Sequence, residues 1–205
     1  MTKPRRRPRR DKPVTYQVRV DITGARPPIW RRVELTSELT LDELHDVIQS
    51  SFAWTDSHLH MFALGDSVYD REAERYLCPF DVEEGDQTGV PEEDVRLDEV
   101  LVDEGDVLLY EYDYGDGWEH RIRLEVVLPR ATDAPKAVCT TGARAGPPED
   151  CGGIFGYESM LSGAADPSHP EHQQSIDRMQ HSLGTTDVDP AEFEVEAVND
   201  RLSSR

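Results

Sequence analysis

The chain has 205 residues, 37% of them hydrophobic and 31% charged, with a formal net charge of -20. That length suits one domain with short tails, and no run of about 18 apolar residues is present, so neither a membrane-spanning helix nor a membrane partner is expected. Acidity on this scale repels phosphate, which makes the body a poor platform for nucleic acid and a better one for a basic protein or peptide segment.

Residues 1–13 concentrate arginine, lysine and proline and are expected to be a disordered basic tail, the one place for DNA contact. No apolar segment follows it, so it is not a secretory signal, and a cytoplasmic protein is expected. The single domain is expected over 14–203.

From Val14 to Ile22 apolar residues alternate with polar ones, which predicts a half-buried strand. Gly24 to Pro28 is a turn. Ile29, Arg31, Val33 and Leu35 alternate again, so an antiparallel partner follows, with Trp30 and Arg32 stacked on its other face. Thr40 and Glu43 form a capping box, and Leu44, Val47, Ile48 and Phe52 share a helical stripe, which predicts an amphipathic helix over 41–53. His45 lies off that stripe and is expected in solvent.

Residues 57–64 alternate as a strand that projects His58 and His60 from one face, within reach of one metal ion. Ser67 to Tyr69 reads as its return strand, and 70–94 as an irregular acidic loop. Val95 to Leu101 suggests a short strand or helical turn.

The stretch from Tyr112 to His120, Tyr-Asp-Tyr-Gly-Asp-Gly-Trp-Glu-His, lies between two strand-like runs and predicts a β-hairpin over 106–128. Turn chemistry accounts for its glycines, but not for Asp113, Trp118 and His120. Residues 129–137 read as a linker. Cys139 to Tyr157 is so dense in glycine and proline that a rigid loop is expected, presenting Arg144, Glu149 and Asp150. Helices are expected from Tyr157, from His169-Pro170, and from Asp189-Pro190 as N-cap and N1. Strands with one early helix, followed by a C-terminal group of helices, make the fold α+β with a mostly antiparallel sheet.

Several of these segments resemble the plasmid pRiA ORF-three-like family: Pro27 to Val33, Leu44 to Gln49, Trp54 to Phe62, Tyr112 to His120, Gly146 to Gly153 and the terminal Asp187 to Leu202. The resemblance runs over roughly residues 14–203. It implies a small α+β domain of bacteria and archaea, often carried on plasmids or beside mobile elements. Some relatives carry a transposon passenger or resolvase label, but the chain shows neither a serine-resolvase nucleophile region nor a helix-turn-helix. Ala145 stands where relatives often have cysteine.

Two functional readings follow. In one, Trp54, Asp113, Trp118, Arg144, Glu149 and Asp150 form the recognition surface of a binding or accessory module. In the other, His58, His60, Asp116 and His120, with Asp113 and Asp150 nearby, hold a divalent metal for a hydrolase. No HExxH, GxSxG or P-loop is present. Cys78, Cys139 and Cys151 lack a CxxC pair, so reduced thiols are expected, with a Cys139–Cys151 bond or shared metal as the alternative. Distant segments are expected to bring these indoles, imidazoles and acids into one patch.

Overall fold

The computed structural model describes residues 6–187 and 189–204. Its frame is one eight-stranded sheet: β1 (Thr15–Ile22), β2 (Trp30–Thr36), β3 (His60–Leu64), β4 (Glu74–Leu77), β5 (Val90–Pro91), β6 (Val107–Tyr112), β7 (Trp118–Leu128) and β8 (Ala137–Ala143). In space the order is β5-β4-β3-β6-β7-β1-β2-β8. Every neighbouring pair is antiparallel except β4 with β5. The helices are α1 (Leu41–Phe52), α2 (Pro79–Glu83), α3 (Leu97–Val100), α4 (Gly153–Ala165), α5 (His172–Leu183) and α6 (Val195–Ser203). The fold is therefore α+β, and among the described residues no helix is long and apolar enough to cross a membrane.

The alternation read in β1 has its physical cause in the sheet. Tyr16, Val18, Val20 and Ile22 face the core, while Arg19 and Asp21 pair on the opposite face. On that face Trp30 lies under the guanidinium groups of Arg19, at 4.1 Å, and Arg32, at 5.3 Å. Arg32 also bonds Glu125 at 2.6 Å. Trp30 is thus an amphipathic cover rather than a core residue.

Helix α1 lies on the core side through Leu41, Leu44, Ile48 and Phe52. Glu43 accepts the Thr40 N–H at 3.2 Å, which satisfies one free donor at its start. Its last turn contains no basic residue, yet its final carbonyls are not left bare. Arg31 of β2 donates Nε–H to Ser51 O at 2.9 Å, and Arg201 of α6 donates to Ser50 O at 2.8 Å. Cations from two distant segments thus supply the hydrogen bonds and positive charge that a helix C-terminus favours. This is why Arg31 sits on the apolar phase of β2: it is 2% exposed, and burial lowers its pKa to about 10.

Several expectations change. The segment 139–157 is not one loop, since residues 137–143 form β8 on the sheet edge. Its exposed backbone is covered by Asn199 of α6, whose amide accepts from Cys139 N at 2.8 Å and donates to Cys139 O at 3.0 Å. This pairing protects an edge that would otherwise be open to another strand. The last helix begins at Val195, not after Asp189-Pro190; Asp189 instead accepts the Ala191 N–H as a turn residue. The return strand of β3 is β4 rather than 67–69, and the segment 70–94 holds β4, α2 and β5.

Residues 6–13 do not behave as a free tail. Arg7 pairs with Asp103 and Asp106, Arg9 with Glu99, and Arg10 bonds Tyr16 Oη and Val102 O. The arm neutralises an acidic turn, and so has a structural role whatever else it touches. Residues 1–5 of the expected tail lie outside the described residues. Cys78, Cys139 and Cys151 are all buried free thiols, so Cys139 and Cys151 do not form a disulfide. Burial raises Cys151 to about 12, far above the range of a reactive thiolate.

His120 is buried in an aromatic box with Phe52, Trp54 and Tyr110, each at a centroid distance of 5.3 Å. Its Nδ1 meets Trp118 O, and its Nε2 has no partner. Burial depresses its pKa to about 3. The imidazole stays neutral in the fold and titrates near its ordinary value when unfolded, so unfolding takes up a proton as pH falls. The stability that His120 contributes is complete above about pH 6.5 and is lost as pH falls towards 3, a loss on the order of a few kcal/mol. Urea titrations over pH 3–7 should show this slope, and His120→Gln should flatten it. Arg31→Ala, which strips Ser51 O of its donor and leaves a cavity, should lower stability by about 3 kcal/mol in the same assay.

Candidate functional site

The hairpin tip between β6 and β7, the loop between α1 and β3, and the loop between β8 and α4 converge at one end of the sheet. Glu149, in the third of these, ties the other two to it. Its carboxylate accepts from Thr55 N at 3.1 Å, Thr55 Oγ1 at 2.7 Å, Ser57 Oγ at 3.2 Å and Tyr112 Oη. Burial acts to raise its pKa, but these donors prevail and hold it below the usual carboxylate value, so the latch is ionised at neutral pH. Trp54 adds a second clasp, donating Nε1–H to Pro147 O at 2.8 Å.

The indoles belong to the inside of this junction. Trp54 is 5% exposed and Trp118 1%. Trp54 stacks on Tyr112 at 5.1 Å and lies 5.6 Å from Trp118. They therefore cannot serve as the flat contact area expected of them. Asp116 is also occupied: its carboxylate accepts the Gly152 N–H at 3.0 Å and fixes the hairpin against the start of α4. Gly153 lies against the Asp116 carbonyl so closely that an added Cβ would stand 2.1 Å from it. Asp116 and His120 are thus structural in this fold, not members of an acid–imidazole cluster.

Two such clusters do form. In the first, His58 Nε2 lies 3.3 Å from Asp150 Oδ1 and 3.7 Å from Asp113 Oδ2. His58 Nε2 is buried and makes no hydrogen bond. Asp113 divides its labour: Oδ1 accepts the Gly115 and Asp116 N–H groups of the turn, while Oδ2 faces His58. In the second, the rings of His45 and His60 stack at 3.6 Å and 10°. His45 bonds Asp56 through Nε2 and Tyr110 Oη through Nδ1, both at 2.8 Å. His60 Nε2 lies 3.0 Å from both oxygens of Glu92, a carboxyl 2% exposed whose pKa burial raises. His58 of the first cluster and His45, Asp56, His60 and Glu92 of the second line a cleft of about 530 Å³.

The backbone marks the same place. Asp56, Asp113 and Asp150 have φ of 58°, 57° and 56°, so the three aspartates of the two clusters all adopt the left-handed region. Side-chain residues are uncommon there, aspartate less so, and such conformations gather at functional sites. Arg144, with φ 69°, lies away from this cleft, against two other cavities.

Of the residues expected to act, His58, His60, Asp113, Glu149 and Asp150 come together here, and Arg144 does not. His45, Asp56 and Glu92 were missed. His45 is buried, not solvated, and its position was readable: Leu41, Leu44, His45, Ile48 and Phe52 continue one helical stripe at i, i+3, i+4, i+7 and i+11. Nothing local marks Glu92, which reaches His60 from a 3-10 turn in the acidic segment.

A protein of similar fold is known from Methanosarcina mazei Go1. The crystal structure of its protein of unknown function MM3350 has a TM-score of 0.75 to this chain at 30% identity, and covers 90% of this chain and 97% of its own. The uncharacterised protein y4hQ of Sinorhizobium fredii (strain NBRC 101917 / NGR234) is 32% identical over 177 residues, which are 85% of this chain and 84% of that one. The family model for the plasmid pRiA4b ORF-3-like protein matches residues 14–197. Three loops latched by Glu149, two acid–imidazole clusters and one shared cleft thus belong to a member of the plasmid pRiA4b ORF-3-like family.

Proposed function

We propose that the His58 cluster beside the cleft is a divalent-metal centre of hydrolytic type, with His58, Asp113 and Asp150 as the ligands. The observation that carries this reading is the spacing around His58 Nε2. This nitrogen is buried and makes no hydrogen bond, although carboxylate oxygens lie 3.3 and 3.7 Å away and all three potential ligand atoms lie within 4.8 Å of one another. Ligands held at about 2.0–2.2 Å from one tetrahedral ion stand roughly 3.3–3.6 Å apart. Two carboxylates and one neutral imidazole balance a dication and suit zinc, manganese or iron. Three protein ligands leave a position open, and an ion there would supply an activated water near neutral pH.

The second cluster differs in kind. Its 2.8 and 3.0 Å distances are hydrogen bonds, so His45–Asp56 and His60–Glu92 are imidazole–carboxylate pairs suited to moving protons beside the ion. Both nitrogens of His45 are engaged, which gives its ring one fixed orientation. His60, whose Nε2 meets Glu92 and whose ring stacks on His45, lines the same cleft and is placed to exchange a proton with a substrate there.

A second reading, an accessory module that recognises a basic segment in the setting of mobile DNA, is supported by the acidic turn that already accepts Arg7 and Arg9. The burial of Trp54 and Trp118 removes the aromatic surface that this reading relied on at the cleft.

Protein purified without added metal should carry close to one equivalent of zinc, manganese or iron by elemental analysis. His58→Ala and Asp150→Ala should each weaken metal affinity at least tenfold, while His120→Gln should leave it unchanged. Metal-free wild-type protein that takes up none of the three ions at millimolar concentration would remove the proposal. Against a panel of ester, phosphoester and peptide substrates, any hydrolysis should be abolished by a chelator and depressed at least tenfold by His60→Ala; activity indifferent to the chelator would exclude a metal-dependent reaction.

A further inference from the structure

Arg144 stands apart from Arg31, Arg178 and Arg201. Arg31 and Arg201 serve the end of α1, and Arg178 bonds Cys151 O at 2.8 Å. Arg144 Nε is buried without a hydrogen-bond partner, and among the described residues its guanidinium forms no ion pair. Arg144 is half-buried, but a donor shielded from water without an acceptor is costly, all the more conspicuous in a chain of net charge -20. Its backbone is held at φ 69° between β8 and a loop whose Gly146 is pressed against the Phe52 carbonyl, where an added Cβ would stand 2.1 Å away. The side chain is thereby directed by backbone that has little freedom to relax.

Arg144 forms one wall of a cavity of about 390 Å³ beneath α4. Ile29, Ile154, Leu161 and Ala165 give this cavity an apolar side, and Arg26 places a second cation on its lining. One acid, Glu158, is also present, and its Oε1 is engaged by the Arg26 backbone N–H at 2.9 Å. An open, partly apolar groove of this size with a few polar groups on its lining is a common form of small-molecule site. Here the convergent groups are guanidiniums, whose planar donors match a carboxylate.

We infer that this cavity binds a small amphipathic carboxylate, its anionic head on Arg144 and its short hydrocarbon body against Ile154 and Leu161. The site is separate from the acid–imidazole cleft and does not depend on a metal there.

The test is isothermal titration of the full chain with hexanoate, hexanol and inorganic phosphate. Hexanoate should bind with a Kd on the order of millimolar or tighter, and hexanol and phosphate at least tenfold more weakly. Arg144→Gln should weaken hexanoate at least tenfold with an unchanged thermal midpoint, because it removes an unpaired charge and not a structural bond. Glu158→Gln, which lowers the negative charge in the cavity, should tighten it by at least about twofold. No hexanoate binding, equal binding of hexanol, equal binding of phosphate, or wild-type affinity in Arg144→Gln would each overturn the assignment. Should Arg144→Gln fail to fold, an unchanged affinity in Glu158→Gln would do the same.

Discussion

The arrangement at the functional end of this protein depends on one carboxylate. Glu149 accepts hydrogen bonds from the loop after α1 and from the last residue of β6 at the same time. These segments are 37 to 94 residues from it in sequence, so nothing local would keep them together. An ionised acceptor with several donors is worth more than a neutral one, and it sets the position of Asp150, the next residue along. Together with the Trp54–Pro147 clasp, this latch spares the two loops that carry His58 and Asp150 the entropy of meeting independently.

The protein handles its excess of acid by spending arginine on particular tasks. Arg31 and Arg201 close the end of α1, Arg32 and Arg19 cover Trp30, and Arg7, Arg9 and Arg10 neutralise the turn before β6. Arginine suits these places because its planar donors satisfy carbonyls and carboxylates in fixed directions, and it stays charged when partly buried. Asp56, Glu92, Asp113 and Asp150 meet histidines instead. The cleft thus has a chemistry different from the rest of the surface: carboxylates there are matched to groups that can bind a metal or a proton.

Residues of similar appearance in one motif take opposite roles. In the Tyr112 to His120 stretch, Asp113 turns one oxygen to its own backbone and the other to His58, while Asp116 serves the start of α4. Trp118 and His120 face into the core because β7 alternates, and Glu119 between them faces out. The same period of two that makes the hairpin decides which of these side chains can touch a ligand.

Local chemistry in the chain determined a good part of the molecule. Alternation specified β1, β2 and the β6–β7 hairpin, helical spacing specified α1, and the clustering of glycine with histidine and acid pointed to the end of the sheet where the cleft lies. Such signals are legible because each arises from residues a few positions apart that share one face. Tertiary structure alone decided that β8 is a strand, since its partners are Trp30 to Leu35, a hundred residues earlier. It also decided that Trp54, Trp118 and His120 are buried, that His45 meets His60, and that Glu92 comes to His60 from 32 residues away. The physical reason is common to all of these: burial and pairing across a sheet depend on what lies opposite, and that is set by the folded path of the whole chain rather than by neighbours in sequence.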